Sequence, residues 1–326
     1  METETLNSET LTNAVQRLEI RGLQKSTRDA LVMDEINITV HAGEIFALVG
    51  GPSSCKTLLS KIVVDLVKKT DGDVLVDGTS NKKFKLNAQK IGASLEQQKF
   101  YPNMTAYKTL EQYAVMNRYH VSHAVIVNTL NLVDLKNIMN YTLNRLDESA
   151  IARLKIALAI YGRPEILVLD DPFRDLSAAE ARKIRVIIKT VAEIRQTAVF
   201  ITAKNIEDVE EICDTVGIID DGFLVTVKSY NQFIRDDAPY EKVRVQTQTP
   251  NYAAKVIEET LKYQTNLCGE WVVVNTLPAN AHRIAGALAD RSIKVLSVQR
   301  VNRSLSEQFF EIIAARRNTR IFGGHK

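Results

Sequence analysis

Two short stretches of the sequence carry residue types that could bind a phosphate group and a metal ion. The first has the spacing G-x-x-x-x-G-K-[ST], met at Gly50, Lys56 and Thr57 but with Cys55 in place of the second glycine. An apolar strand precedes it and an apolar helix follows it, the context in which backbone N–H groups and a helix N-terminus bind phosphate. The phosphate site predicted here consists of Gly50, Gly51, Pro52, Ser53, Ser54, Cys55, Lys56 and Thr57.

The second stretch is an apolar run that ends in two carboxylates. Ile166 to Leu169 are four consecutive apolar residues followed by Asp170 and Asp171, a pattern typical of a strand buried on both faces. We expect Thr57 and Asp170 to hold Mg²⁺, because hydroxyl and carboxylate oxygens are the hard ligands that this ion prefers. A lysine at a helix start and an aspartate at a strand end are each common alone. Together, in this order, they favour a nucleotide site.

Strands that alternate with helices are expected to position these two stretches. The pattern of apolar residues predicts strands at 18–23, 36–40, 46–49, 71–78, 91–95, 166–169, 198–202, 216–219 and 223–227, and helices at 56–68 and 177–194. From Thr105 to about Asn144 the apolar spacing is helical, without a clear strand. We therefore predict an α/β fold of the P-loop NTPase type. It would have a wound, mainly parallel sheet, an antiparallel β layer and a helical insert.

A linker-like segment, Asp236-Asp237-Ala238-Pro239, predicts a domain boundary. Beyond it the sequence alternates between strand and helix patterns three times, at 243–248, 252–261, 271–275, 282–289, 293–301 and 305–314. The predicted segments are a disordered leader (1–15), a nucleotide-binding domain (16–237, with a helical subdomain at about 99–162), a C-terminal accessory α/β domain (238–316) and a basic tail (317–326).

Composition excludes several classes of protein. The 326 residues carry a net charge of only +3, which gives no electrostatic argument for a nucleic-acid partner. The three cysteines lie far apart without C-x-x-C spacing, which argues against a disulfide framework or a zinc site. No apolar run approaches the roughly 20 residues needed to cross a bilayer, and the acidic amino terminus does not have the pattern of a signal peptide. We expect no transmembrane segment.

From about residue 17 to 235 the order of motifs resembles the ATP-binding subunit of ABC transporters. A strand leads into the P-loop; then come the Glu96 loop with Phe100-Tyr101-Pro102-Asn103-Met104-Thr105, the helical insert, Leu-Asp-Asp-Pro and a segment at 213–219. The segment at 303–311 looks like the end of the extended subunits of bacitracin- and lantibiotic-resistance-type and sodium-efflux-type exporters.

The resemblance implies a function, cofactors and partners. The chain would bind ATP and Mg²⁺ and would drive a membrane permease of the export, drug- or peptide-resistance type. It would work as a homodimer, or as a heterodimer with another ATP-binding subunit, peripheral to the cytoplasmic face of the membrane. In the family, the loop from Glu96 to Thr105 joins the ATP site to the groove that receives a cytoplasmic helix of the permease.

The sequence departs from the family pattern at many functional positions. They are Thr27 for the adenine-stacking aromatic, Ser53 and Cys55 for two P-loop glycines, Leu146-Asp147-Glu148-Ser149 for Leu-Ser-Gly-Gly, Asp171 for the catalytic glutamate, Ser177 for a loop aspartate, and Lys204 for the switch histidine. Asp171 would be a weak general base, since its side chain is shorter by one C–C bond. Glu96 can serve the metal and the attacking water, and Lys204 is either a phosphate contact or a surface lysine.

Asp147 and Glu148 leave two structural alternatives open. In the family this helix start faces ATP bound to the other subunit, so a carboxylate there would repel the γ-phosphate. Alternatively Asp147 caps a helix at 149–161 and points away.

These observations leave three functional hypotheses. The first is an ATP-binding subunit with weak hydrolysis. The second is a non-hydrolysing subunit that acts as scaffold or regulator of a transporter. A different P-loop enzyme, such as a nucleotide kinase, is disfavoured by the helical insert and the order of the motifs.

Overall fold

The computed structural model describes residues 15–28, 30–82, 90–174, 176–235 and 242–301, together with 309, 312–314 and 316. The chain forms two compact units, residues 1–230 with 316–326, and residues 231–315. The predicted leader (except Val15), the linker at 236–239, the basic tail and most of the predicted helix at 305–314 lie outside the described residues. No described helix is long and apolar enough to cross a membrane.

The first unit is built on one ten-stranded sheet. Its strands are β1 (Gln16–Ser26), β2 (Leu31–His41), β3 (Ile45–Val49), β4 (Asp71–Val76), β5 (Thr79–Ser80), β6 (Ile91–Ser94), β7 (Ile166–Asp170), β8 (Ala198–Ala203), β9 (Thr215–Asp220) and β10 (Phe223–Ser229). The α-helices up to residue 235 are α1 (Lys56–Val63), α2 (Ala106–Met116), α3 (His123–Leu132), α4 (Glu148–Ile160), α5 (Ala178–Arg195) and α6 (Tyr230–Arg235). The strands lie in the order β5-β4-β1-β2-β10-β9-β3-β8-β7-β6.

Five neighbouring strands of this sheet, β9, β3, β8, β7 and β6, run parallel to one another. Every residue of β3, β7 and β8 is buried, as the continuous apolar runs predict. Phe46 of β3 stacks on Phe200 of β8, with ring centroids 5.9 Å apart. Because the carboxyl ends of parallel strands meet at one edge, this arrangement brings the loop after β3, the end of β7 and the end of β8 together.

The other half of the sheet is antiparallel, with β1 between β2 and β4 and with β5 outside β4. The predicted α/β fold with an antiparallel β layer is thus confirmed. The predicted helix 56–68 was too long, because α1 ends at Val63. Asp65 has a left-handed backbone (φ 58°), and a residue in that conformation ends a helix.

The second unit holds a separate antiparallel sheet with its own apolar core. Its elements are β11 (Lys242–Thr247), α7 (Pro250–Leu261), β12 (Thr265–Cys268), β13 (Trp271–Asn275), α8 (Ala281–Ala289) and β14 (Val295–Val301). The strand order is β12-β13-β11-β14, a β-α-β-β-α-β arrangement. The predicted strands at 243–248, 271–275 and 293–301 and the predicted helices at 252–261 and 282–289 are present, but the prediction missed β12. That edge strand is short and mostly exposed, so it has no apolar alternation to predict it.

Candidate nucleotide site

The loop between β3 and α1 is shaped by close backbone contacts. A Cβ atom on Gly50 would come within 2.3 Å of the carbonyl oxygen of Ile219, so only glycine fits this position. The Ser54 hydroxyl donates to the Gly51 carbonyl at 2.6 Å, and the Ser54 N–H donates to the same oxygen at 3.2 Å. These contacts hold the loop in a tight turn at the N-terminus of α1.

Cys55 is the residue of this loop that the sequence marked as unusual. It lies at the N-cap of α1 with φ 65° and ψ 16°, in the left-handed region, and its side chain does not cap the helix. That conformation costs a residue with a Cβ atom about 1–2 kcal/mol. The fold therefore keeps the backbone shape that a glycine would supply, at the expense of local strain.

Lys56 places its ammonium group over the same loop. Its Nζ atom donates to the Gly51 carbonyl at 3.0 Å and to the Ser54 hydroxyl at 2.9 Å. Burial lowers the pKa of Lys56, while Asp171 and then Asp170 act to raise it. A partly desolvated cation inside a loop at a helix N-terminus is suited to bind an anion such as phosphate.

Asp170 ends β7 directly opposite the start of α1. Its Oδ1 atom accepts hydrogen bonds from the hydroxyls of Thr57 (3.1 Å) and Thr202 (2.8 Å). Its Oδ2 atom is buried and has no hydrogen-bond partner, and burial raises the pKa of this carboxyl. A buried carboxylate oxygen without a partner is costly unless a cation approaches it, so Thr57 and Asp170 fit a Mg²⁺ ion.

The protein would supply only part of the coordination shell of such an ion. Within the described ranges, no group of three His, Cys, Asp or Glu side chains is placed to hold a metal. Mg²⁺ in nucleotide sites commonly takes one or two protein ligands and completes its shell with phosphate oxygens and water. One hydroxyl and one carboxylate match that pattern.

The two carboxylates predicted to assist hydrolysis converge on a residue that the sequence did not single out. Arg174 forms an ion pair with Glu96 through Nη1, and its Nε lies 3.8 Å from Oδ2 of Asp171. Asp171 itself has a left-handed backbone (φ 49°) and donates its N–H to the Thr202 carbonyl at 3.1 Å. Glu96 and Asp171 thus line one cavity with Asp170, but with their charges directed at Arg174.

The start of α4 resolves the two alternatives for Asp147. Its side chain accepts the N–H of Ala150 at 2.6 Å, so Asp147 is the N-cap of the helix, which begins at Glu148. Glu148 lines the same cavity as Asp170. The positive end of this helix is therefore partly satisfied by the protein's own carboxylates.

The remaining predicted positions lie around the edge of this site. Lys204 is exposed directly after β8 and is close enough to Lys56 to contribute to lowering the pKa of Lys56, after burial as the main cause. Thr27 lies in the turn between β1 and β2, bonded to Ala30. Ser177 caps α5, with Glu180 completing a capping box.

Three residues that face the site were missed by the analysis of the sequence. Thr202 bonds to Asp170, Arg174 pairs with Glu96 and Asp171, and Lys155 donates to the carbonyl of Glu96 at 3.2 Å. Only Arg174 carries a local signal, an opposite charge three residues after Asp171. The other two contacts depend on which strands and helices are neighbours.

Comparison with known proteins shows which proteins this chain is similar to. The family model described as "ABC transporter" matches residues 33–174. The chain is 28% identical over 299 residues to the uncharacterized ABC transporter ATP-binding protein YdbJ of Bacillus subtilis, covering 91% of this chain and 96% of that protein. It is 27% identical to the bacitracin transport ATP-binding protein BcrA of Bacillus licheniformis, over 90% of this chain and 94% of that protein. The lantibiotic transport ATP-binding protein SrtF of Streptococcus pyogenes is 28% identical, over 66% of this chain and 91% of that protein.

Solved structures support the same fold. The dimeric ATP-binding cassette MJ0796, in a post-hydrolysis state bound to ADP and Pi, matches with a TM-score of 0.60 and 20% identity, over 65% of this chain and 98% of that chain. The order of motifs, the fold and these similarities agree. Residues 33–174 match the ABC transporter family model, and the chain is similar over most of its length to ATP-binding proteins of ABC transporters.

Proposed function

We propose that this chain is the ATP-binding subunit of a membrane exporter and that it couples Mg-ATP binding to the permease. The observation that carries the proposal is the hydrogen bond between the Thr57 hydroxyl and the Asp170 carboxylate. It links the start of α1 to the end of β7 and leaves one buried carboxylate oxygen without a partner. The loop at 50–57 would hold the phosphates, and Thr57 and Asp170 the metal ion. Glu96 is a candidate third ligand once it is released from Arg174.

The names of its relatives suggest the kind of exporter. BcrA is a bacitracin transport protein and SrtF a lantibiotic transport protein. We therefore propose that the permease partner handles a peptide antibiotic or a similar drug, and that the ATP-binding subunits pair as a homodimer or heterodimer at the cytoplasmic face of the membrane.

Hydrolysis is proposed to be weak. Asp171 would be the general base, yet Nε of Arg174 lies 3.8 Å from its carboxylate. Lys204 occupies the position of the family's switch histidine, whose imidazole could titrate near neutral pH. The Asp147 cap removes part of the N-terminal surface of α4 that would face a partner's nucleotide. A general base must reach the attacking water within hydrogen-bond distance, and the ion pair with Arg174 competes for the Asp171 carboxylate. We propose that this competition and the changes at Lys204 and Asp147 each lower the rate of ATP hydrolysis.

A non-hydrolysing subunit that acts as scaffold or regulator is the second candidate. The pairing of both expected catalytic carboxylates with one arginine favours it. Turnover that Lys56→Ala abolishes would distinguish the first candidate from this one.

A groove beside the Glu96 loop offers a place for the permease. It has a volume of about 470 Å³ and is mostly apolar, and it is lined by the end of α1, the strand β6 and the face of α2 that carries Tyr113 and Asn117. Leu66 borders it with 66% of its surface exposed. A permease helix with apolar side chains would bury this surface, which is worth about 25 cal/mol per Å².

The test is co-purification with the permease. We expect Leu66→Glu to reduce the amount of permease that co-purifies about tenfold or more, because a charge would be buried in the groove. Ile194→Glu is the matched control, since Ile194 is also exposed (77%) but does not line the groove. Unchanged co-purification of the Leu66→Glu variant would contradict the proposed docking.

A further inference from the structure

The cavity next to the P-loop holds an unusual balance of charges. It measures about 350 Å³. Four carboxylates line it, those of Glu96, Glu148, Asp170 and Asp171. Two cations line it, Lys155 and Arg174. Burial lowers the pKa of Lys155, and Arg174 is the cation that pairs with carboxylates of the cavity.

Arg174 contacts two of these four carboxylates, those of Glu96 and Asp171. Its guanidinium pairs with Glu96 and approaches Asp171. As a stabilising contact this arrangement is worth little, because about half of the Arg174 side chain is exposed and exposed ion pairs contribute about 0–1 kcal/mol. Its importance arises when a ligand displaces water from the cavity, since charge interactions strengthen as the local dielectric falls.

The ligand expected at this cavity is itself an anion. Lys56 and the loop at 50–57 take the phosphates. Asp170, which lines the cavity, accepts a hydrogen bond from Thr57 of this loop at 3.1 Å, so the cavity adjoins the phosphate end of a bound nucleotide. Without Arg174, the cavity would present four carboxylates against the single cation of Lys155. Each added negative charge on the ligand would then be repelled by carboxylates that no cation neutralises.

We infer that Arg174 is a specificity-determining residue that neutralises Glu96 and Asp171 and so lets the site accept a nucleoside triphosphate in preference to a diphosphate. The inference rests on the proposed nucleotide-binding function. A triphosphate carries its additional charge on the terminal phosphate, next to the metal ligands Thr57 and Asp170, whereas a diphosphate does not. Arg174 therefore affects ATP affinity more than ADP affinity.

The test compares ATP and ADP affinities by titration calorimetry in the presence of Mg²⁺. Arg174→Gln removes the charge and keeps much of the side-chain length. We expect ATP affinity to fall about tenfold, which corresponds to about 1.4 kcal/mol, while ADP affinity changes less than about twofold. The conservative variant Arg174→Lys keeps a positive charge at this position and should retain most of the ATP affinity.

The controls separate this inference from simpler explanations. Arg182→Gln is the matched control, because Arg182 is an exposed arginine of α5 that does not line the cavity; it should leave both affinities unchanged. Equal losses for ATP and ADP, no loss for either, or a loss of ATP affinity in Arg174→Lys as large as in Arg174→Gln would each overturn the inference. If the wild-type chain binds neither nucleotide, the proposed function itself fails. If the wild type binds both nucleotides and Arg174→Gln binds each with the same affinity as the wild type, only the inference about Arg174 fails.

Discussion

At the scale of single residues, the nucleotide site keeps the backbone of a P-loop but not its composition. Cys55 adopts the left-handed conformation that glycine takes without strain. Asp170 is buried with one oxygen unpaired. Both features cost free energy in the protein alone, and both lie where phosphate and metal are expected. Strain and unpaired polar atoms of this kind are characteristic of binding sites.

Cys55→Gly should increase both the stability of the protein and its affinity for ATP. The substitution removes about 1–2 kcal/mol of left-handed strain and adds about 0.5–1 kcal/mol of chain entropy cost. We therefore expect a net gain of up to about 1.5 kcal/mol in the free energy of unfolding by urea, together with tighter ATP binding because the Cys55 side chain no longer shares the loop with phosphate. Lys262→Gly is the control: Lys262 is also left-handed (φ 56°) but lies at the end of α7, so ATP affinity should not change. Weaker ATP binding by Cys55→Gly would contradict this explanation.

Asp170→Asn should stabilise the nucleotide-free protein at neutral pH while it abolishes the Mg²⁺ dependence of ATP binding. Burial raises the pKa of Asp170 above its unfolded value. The favourable contribution of its protonated form is therefore complete at low pH and is lost as the pH rises through the folded pKa. Asparagine has no such loss and can still accept the bonds from Thr57 and Thr202. The stability advantage of the variant, measured by urea unfolding, should grow from pH 4 to pH 7; an advantage that shrinks would refute the assignment.

The sequence was sufficient to predict the placement of residues that depends on local order. Lys56 and Thr57 follow from a strand–loop–helix pattern, and Asp170 from an apolar run. Arg174 and Thr202 could not be predicted with the same certainty, because their contacts with Glu96 and Asp170 join segments 78 and 32 residues apart. Such contacts depend on the order of strands in the sheet.

At the scale of elements, the start of helix α4 carries two acidic residues, Asp147 and Glu148, at positions where the family has small residues. Asp147 satisfies an N–H group of the first turn, and Glu148 lies in that turn. Carboxylates at this end favour the helix through its dipole. The helix is therefore stabilised within the chain itself, at a surface that in the family faces a second subunit.

Asp147→Ala should destabilise the protein by about 1 kcal/mol through loss of this cap, whereas Asp147→Ser should retain most of the stability. Ser122→Ala is the comparison, because Ser122 begins α3 without a side-chain cap and should cost much less. Thermal unfolding of the three variants measures the difference. Equal stability of Asp147→Ala and the wild type would show that the cap contributes nothing.

Elements were predictable where burial was strong and uniform. The fully buried strands β3, β7 and β8 agree with their predicted ranges to within one residue. The end of α1 was not predictable from apolar spacing, because Val64 and Val67 continue the pattern while the backbone of Asp65 ends the helix. Strand β12 was missed because it lies at a sheet edge with little buried surface.

At the scale of the whole molecule, the first unit brings the phosphate loop, the proposed metal ligands and the Glu96 loop to one region, while a mostly apolar groove borders that loop. This arrangement connects the proposed nucleotide site to the proposed permease contact within one unit. The sequence predicted the α/β class of this unit through its alternation of strands and helices. It could not give the order of ten strands, since that order is fixed by packing between segments far apart in the chain.

The central claim is that this chain binds Mg-ATP through Lys56 and Asp170, and a titration with Mg-ATP tests it most directly. We predict saturable binding by the wild type, about tenfold or more weaker in Lys56→Ala, because a charge-assisted contact to phosphate is lost. Chelation of Mg²⁺ should weaken binding by the wild type but have little effect on Asp170→Asn. Absence of binding at millimolar Mg-ATP, or binding that Lys56→Ala leaves unchanged, would contradict the claim.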